Sequence, residues 1–185
     1  SSGEQAGFNA RLLVRGVGVR QDVPVVRKAS VRGELTSDLW RILGGDGVSN
    51  FTADSVADNF ILNMTGRLNR QRTAGAFDGS AFAAGGFGTV NVGSATGATF
   101  LTAFVGDENA LGGINEIQDQ YEPGSFDSLR IRGNAIDMLA GAGLVPVDEI
   151  VPIFNNGNDI VRGLDSAISS LEVEGIVSGT TFFGA

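Results

Sequence analysis

Leu129-Arg130-Ile131-Arg132-Gly133 and Leu171-Glu172-Val173-Glu174-Gly175 carry one pattern: apolar, charged, apolar, charged, glycine. Alternation with period two marks a strand with one face buried and the other wet. The pattern recurs, with looser chemistry, at Leu12-Leu13-Val14-Arg15-Gly16, Ala29-Ser30-Val31-Arg32-Gly33, Leu62-Asn63-Met64-Thr65-Gly66 and Val90-Asn91-Val92-Gly93-Ser94. The closing glycine supplies a bend that a Cβ-bearing residue resists.

Working outward, a second apolar stretch follows several of these units after a short polar spacer. It is present at Leu39-Trp40-Arg41-Ile42-Leu43-Gly44, Ser80-Ala81-Phe82-Ala83-Ala84-Gly85, Phe100-Leu101-Thr102-Ala103-Phe104, Met138-Leu139-Ala140-Gly141 and Thr181-Phe182-Phe183-Gly184. Strand, glycine corner, strand and loop make one coil of a parallel β-helix, in which each coil stacks its apolar side chains on the next. The expected fold is therefore all-β: an irregular parallel β-helix (β-solenoid) over residues 1–185 as a single domain. The alternative is a β-sandwich, which also has several short strands with turn signals. A five-residue unit returning in one phase favours the solenoid.

The units are spaced by 17, 33, 28, 39 and 42 residues. The surplus falls in segments 45–59, 106–125 and 142–168, which are rich in Gly, Asn and Asp and read as long loops leaving one corner. Within them, residues 54–59 and 113–119 read as short helices. The chain closes on Thr181-Phe182-Phe183-Gly184-Ala185, an apolar strand, and 8–19 is also apolar and strand-like. Both set the expectation of a fragment, or of one subunit of a longer assembly, whose ends meet other copies or flanking solenoid repeats.

Composition narrows the function. The chain has 185 residues, with 42% hydrophobic and 18% charged, enough to bury a sizeable core. No apolar run approaches the roughly 20 residues of a membrane span. A net charge of −8 with a single lysine, Lys28, argues against nucleic acid, and Arg67, Arg70 and Arg72 read as a solvated turn. The chain lacks both His and Cys, which removes the commonest general base, the commonest metal ligand and any thiolate site. Neither Gly16-Val17-Gly18 nor Gly85-Gly86-Phe87-Gly88 precedes a helix-length segment, so a nucleotide loop is not expected. Ser1-Ser2-Gly3-Glu4-Gln5 reads as a processed start from which a leader has been removed.

From Phe126-Asp127-Ser128-Leu129 through Ile168-Ser169-Ser170-Leu171 to Thr181-Phe182-Phe183-Gly184, the last hundred residues resemble a degenerate repeat. It is the SL-x-V-x-G … F-x-AG … DG-x-F-G repeat of very large secreted β-helix proteins from planctomycete-type bacteria. This chain departs from it at Asp148-Glu149 and at Asn155-Asn156. The resemblance implies an extracellular or cell-surface setting and a structural or adhesive role.

Three chemical expectations complete the reading. Arg130, Arg132, Glu172 and Glu174 alternate with apolar positions, so Arg130 should lie near Glu172 and Arg132 near Glu174 on an exposed ladder. Asp148, Glu149, Asn155, Asn158 and Asp159, with Asp107 and Glu108, supply hard oxygen ligands suited to calcium. Trp40 is expected in the core, which with the single Tyr121 leaves no aromatic platform for sugars. The function expected is an extracellular structural or adhesive module, not an enzyme, able to assemble end to end into a filament. The alternative is a polysaccharide-binding or polysaccharide-active β-helix protein, with surface glycans as partners.

Overall fold

The computed structural model describes residues 7–104, 120–121, 124–145, 160–161 and 166–185. All regular structure among them is β, and none is helical. Two large sheets are parallel throughout. The first runs in the order Leu12–Arg15, Trp40–Leu43, Ile61–Met64, Ser80–Ala83, Thr99–Leu101, Leu139–Gly141 and Phe182–Gly184. The second runs Ala29–Leu35, Phe51–Val56, Arg67–Thr73, Phe87–Val92 and Ser125–Ile131, then Ala167–Ile168 and Leu171–Val173 side by side against the last of these. Gly47–Val48 also pairs with Arg67–Thr73. A narrow third sheet joins Ala95–Thr96, Ala135–Ile136 and Val177–Ser178.

Strands alternate between the two large sheets along the chain, so each new strand is laid beside its predecessor in the same sheet. The step is nearly constant where the chain is short. Ile61 lies beside Ser80 and Ser80 beside Thr99, 19 residues apart each time, and Trp40 lies beside Leu62 after 22. In the second sheet Ala29 faces Phe51 after 22 residues, Phe51 faces Gln71 after 20, and Leu68 faces Phe87 after 19. Two later steps, Thr99 to Leu139 and Leu139 to Phe182, take 40 and 43 residues, roughly twice as many. Their surplus leaves and rejoins through antiparallel pairs: Ala103–Phe104 with Gln120–Tyr121, and Leu144–Val145 with Ile160–Val161. Antiparallel pairing is confined to these two places among the described residues, unlike the fully antiparallel sheets of an immunoglobulin-type sandwich.

Parallel, in-register pairing turns the period-two pattern into rows. Trp40, Leu62, Ala81, Phe100 and Ala140 are successive partners across the first sheet and all are buried. Their row joins one hydrophobic cluster with Phe51, Leu68, Phe87, Val90, Phe126 and Leu129 of the second sheet. Strand spacing of about 4.7–4.9 Å brings aromatic partners into stacking range. Phe87 and Phe126, register partners, stack at 4.5 Å with ring planes 14° apart, and Phe77 stacks on Phe100 at 4.7 Å. Trp40 meets Phe51 and Phe60 edge-on at 5.8 Å, and its Nε1 donates to the Ala10 carbonyl at 3.0 Å. Trp40 is thus a core residue, as its strand position predicts.

Several sequence expectations are corrected. The five-residue units do not share one phase: those at Leu12 and Leu62 lie in the first sheet, and those at Ala29, Val90, Leu129 and Leu171 in the second. Gly33 is not a corner but a bulge inside its strand, with φ 92 and a register shift between Val31 and Glu34. Gly66 does sit at a bend, and a Cβ there would overlap the backbone of Asp46 and Gly47. Segment 45–59 is not one loop, since it holds Gly47–Val48 and Phe51–Val56, and residues 54–56 are strand rather than helix. There the cross-strand bond from Gly33 N–H to Asp54 Oδ2, 2.7 Å, outweighs any local helical preference. Arg67, Arg70 and Arg72 belong to the strand Arg67–Thr73, not to a turn. The helix expected at 113–119 lies outside the described residues.

Truncating a stacked ring should be costly. Phe87→Ala is expected to lower unfolding free energy by about 3–5 kcal/mol in urea titration. Ile176→Ala, at a side chain 65% exposed, should stay within about 0.5 kcal/mol. A loss below about 1 kcal/mol for Phe87→Ala would contradict the stacked core.

Candidate functional site

The side chains with chemistry to offer are gathered on the outer face of the second sheet, because its inward positions are taken by the core. Register carries one row across six strands: Ser30, Thr52, Arg72, Asn91, Arg130 and Glu172. A second row holds Arg70, Thr89 and Ser128. Both rows are polar from end to end, and the Thr52 hydroxyl donates to Ser30 Oγ at 2.9 Å.

Charge on this face is unevenly compensated. Arg130 is bound by both acidic residues of the neighbouring strand: its Nε lies 3.2 Å from Glu172, and it donates a short bond to Glu174. That hydrogen bond from Glu174, reinforced by the charges of Glu172 and Glu174, holds the guanidinium above its usual pKa. The expected pairing of Arg130 with Glu172 is present. The expected pairing of Arg132 with Glu174 is not, because Arg132 Nη2 reaches back to the carbonyls of Thr73 and Ala74, at 3.2 and 2.8 Å. Arg67 is also spoken for, by Asp127 at 2.7 Å and the Phe87 carbonyl at 2.9 Å. Arg70, Arg72 and Arg132 are exposed and have no carboxylate partner among the described residues.

Elsewhere the acidic groups serve the backbone. Glu34, Asp58, Asp78 and Asp137 border one shallow groove. Asp78 Oδ1 accepts the Thr96 N–H at 2.9 Å and Asp137 Oδ1 accepts the Thr180 N–H at 2.7 Å. Each carboxylate thereby satisfies a turn in the next pass of the chain, which explains an acidic column without a ligand. A groove of about 450 Å³ on the first sheet is lined by Arg11, Leu13, Arg15, Arg41 and Leu43, with Arg11 3.2 Å from Asp38.

The residues expected to bind calcium, Asp107, Glu108, Asp148, Glu149, Asn155, Asn158 and Asp159, all lie outside the described residues. Among the described residues no group of three or more acidic side chains is placed to hold a metal ion. Asn63 reads in the sequence as an exposed polar strand position and a sequon, but it is 1% exposed.

One feature escapes sequence reading. Gln71 and Thr73 point inward, in the rows of Phe51 and Ala53, and both are fully buried. Neither the Gln71 amide nor the Thr73 hydroxyl finds a hydrogen-bond partner among the described residues. In Arg67-Leu68-Asn69-Arg70-Gln71-Arg72-Thr73 every second residue from Asn69 onward is as polar as its neighbour, so no alternation betrays which face is inside.

A buried group without a partner costs about 1–3 kcal/mol. Gln71→Leu is therefore expected to raise the unfolding free energy by that amount, and a denaturant midpoint at or below that of the parent would refute the burial. No family model, no curated protein and no solved structure matches this chain.

Proposed function

We propose that this chain is an irregular β-solenoid acting as a structural or adhesive module at the cell surface or outside the cell, joined end to end with further copies. The role is mechanical rather than catalytic. The observation that carries the reading is the near-constant step of 19 to 22 residues between register partners in two parallel sheets, with longer segments inserted between steps. Such stacking builds a rigid rod whose length grows with each pass and whose broad faces stay free.

End-to-end joining is supported by edges and charge. Leu12–Arg15 and Phe182–Gly184 are the outer strands of the first sheet, and Leu171, Ile176 and Val177 expose 43, 65 and 52% of their surface on the last pass. Unpaired backbone beside apolar side chains is a template for another strand. Around the first strands stand Arg15, Arg27, Lys28 and Arg32, whereas the last pass carries Glu172 and Glu174 and no basic residue. If the second-sheet rows continue into another copy, Glu174 falls opposite that copy's Arg32, an attractive cross-strand pair.

Negative-stain micrographs of the purified protein at rising concentration test this. Rods that lengthen with concentration are expected, and Glu172→Lys combined with Glu174→Lys should shorten them by opposing like charges. Globular, monodisperse particles at every concentration would refute the end-to-end assembly.

A further inference from the structure

We infer that the outer face of the second sheet binds an acidic polysaccharide, through Arg70, Arg72 and Arg132 set among the polar side chains of Thr89, Asn91 and Ser128. The inference rests on the adhesive reading above and names its partner.

Three observations carry it. The first is placement. Arg72 and Arg130 are both register partners of Asn91, and Arg70 is the partner of Thr89, so these side chains share one surface of rigid sheet rather than a turn. Strand spacing of about 4.7–4.9 Å puts Arg72 and Arg130 on the order of 10 Å apart with Asn91 between them. Arg132 bonds the carbonyls of Thr73 and Ala74, the residues that follow Arg72, which draws a further guanidinium to the same place.

The second is charge. The chain carries −8 overall, yet Arg70, Arg72 and Arg132 have no carboxylate partner among the described residues. Glu172 and Glu174 satisfy Arg130 at the edge of this cluster. An acidic protein that leaves guanidiniums uncompensated on one flat face presents a localised positive field there.

The third is the chemistry between the arginines. Threonine and serine hydroxyls and an asparagine amide donate and accept hydrogen bonds, and guanidinium forks bind carboxylates in two-point fashion. A polymer bearing both hydroxyls and carboxylates, as polyuronates do, matches both kinds of group. The two rows hold no aromatic side chain on which a base would stack and no apolar side chain to enter a lipid layer.

The test measures retention of the full chain on immobilised polygalacturonate, with neutral dextran and duplex DNA as comparison surfaces, at low and at physiological salt. Retention on polygalacturonate is expected, weakening as salt screens the arginines. Arg70→Gln combined with Arg72→Gln, which keeps much of each aliphatic stem, should weaken it about tenfold or more. Asn91→Asp, which sets a carboxylate between the arginines, should also weaken it. Arg20→Ser, removing a guanidinium already paired with Asp22 at 2.9 Å, should leave it unchanged. No retention of the parent chain would overturn the inference, as would retention equal in the double variant or equally tight retention on DNA. Far-UV circular dichroism of each variant establishes that the sheets persist. Failure of the rod reading registers in the micrographs instead, so the two proposals fail separately.

Discussion

Parallel pairing of backbone with backbone, pass upon pass, is the constraint from which the rest follows. Once two strands are fixed in register, every side chain stands beside a partner at strand spacing, and each row becomes apolar or polar as a whole. Phe87 on Phe126, Trp40 on the Leu62 to Ala140 row, and the outward row from Ser30 to Glu172 all express that one geometry. It also explains why one set of strands yields both a dry interior and a polar exterior, with no separate element needed to build either.

How much of this the sequence disclosed depended on the sharpness of alternation. Leu129-Arg130-Ile131 and Leu171-Glu172-Val173 change sign at every residue, and their strands, pairing and charge contact could be read directly. Phe51-Thr52-Ala53-Asp54-Ser55-Val56 was ambiguous because Asp, Ser and the following Ala57-Asp58-Asn59 suit a short helix equally well. The decision came from Gly33, a partner 21 residues away. Arg67–Thr73 was opaque for a different reason: its inward residues include Gln71 and Thr73, so the pattern by which strands are recognised is missing. The face that carries the arginines was hidden with it, since their common orientation depends on that strand.

The oxygen-rich segments that suggested calcium belong to the longer steps, away from the regular rows. Composition flagged their chemistry but held no information on spatial convergence, which needs long-range pairing to define it. The acidic residues that the rows do position, Asp78 and Asp137, are engaged by backbone N–H groups of the next pass. Carboxylates of that kind hold turns in register and leave little capacity for a cation.

The antiparallel pairs at Ala103–Phe104 with Gln120–Tyr121 and at Leu144–Val145 with Ile160–Val161 have a consequence for how such a chain can change. Each clasps the two ends of an excursion at the sheet margin, so residues between them enter or leave without altering the register of Leu139–Gly141 or Phe182–Gly184. Closing a longer excursion costs only about 0.6 kcal/mol per doubling of its length. Scaffold and ornament are thereby decoupled: the stacked rows are held to a fixed step by packing, while the clasped segments are free to drift in length and composition. Diversity among chains built this way should accumulate at the clasps, and foreign peptides grafted there would be displayed on a rigid support.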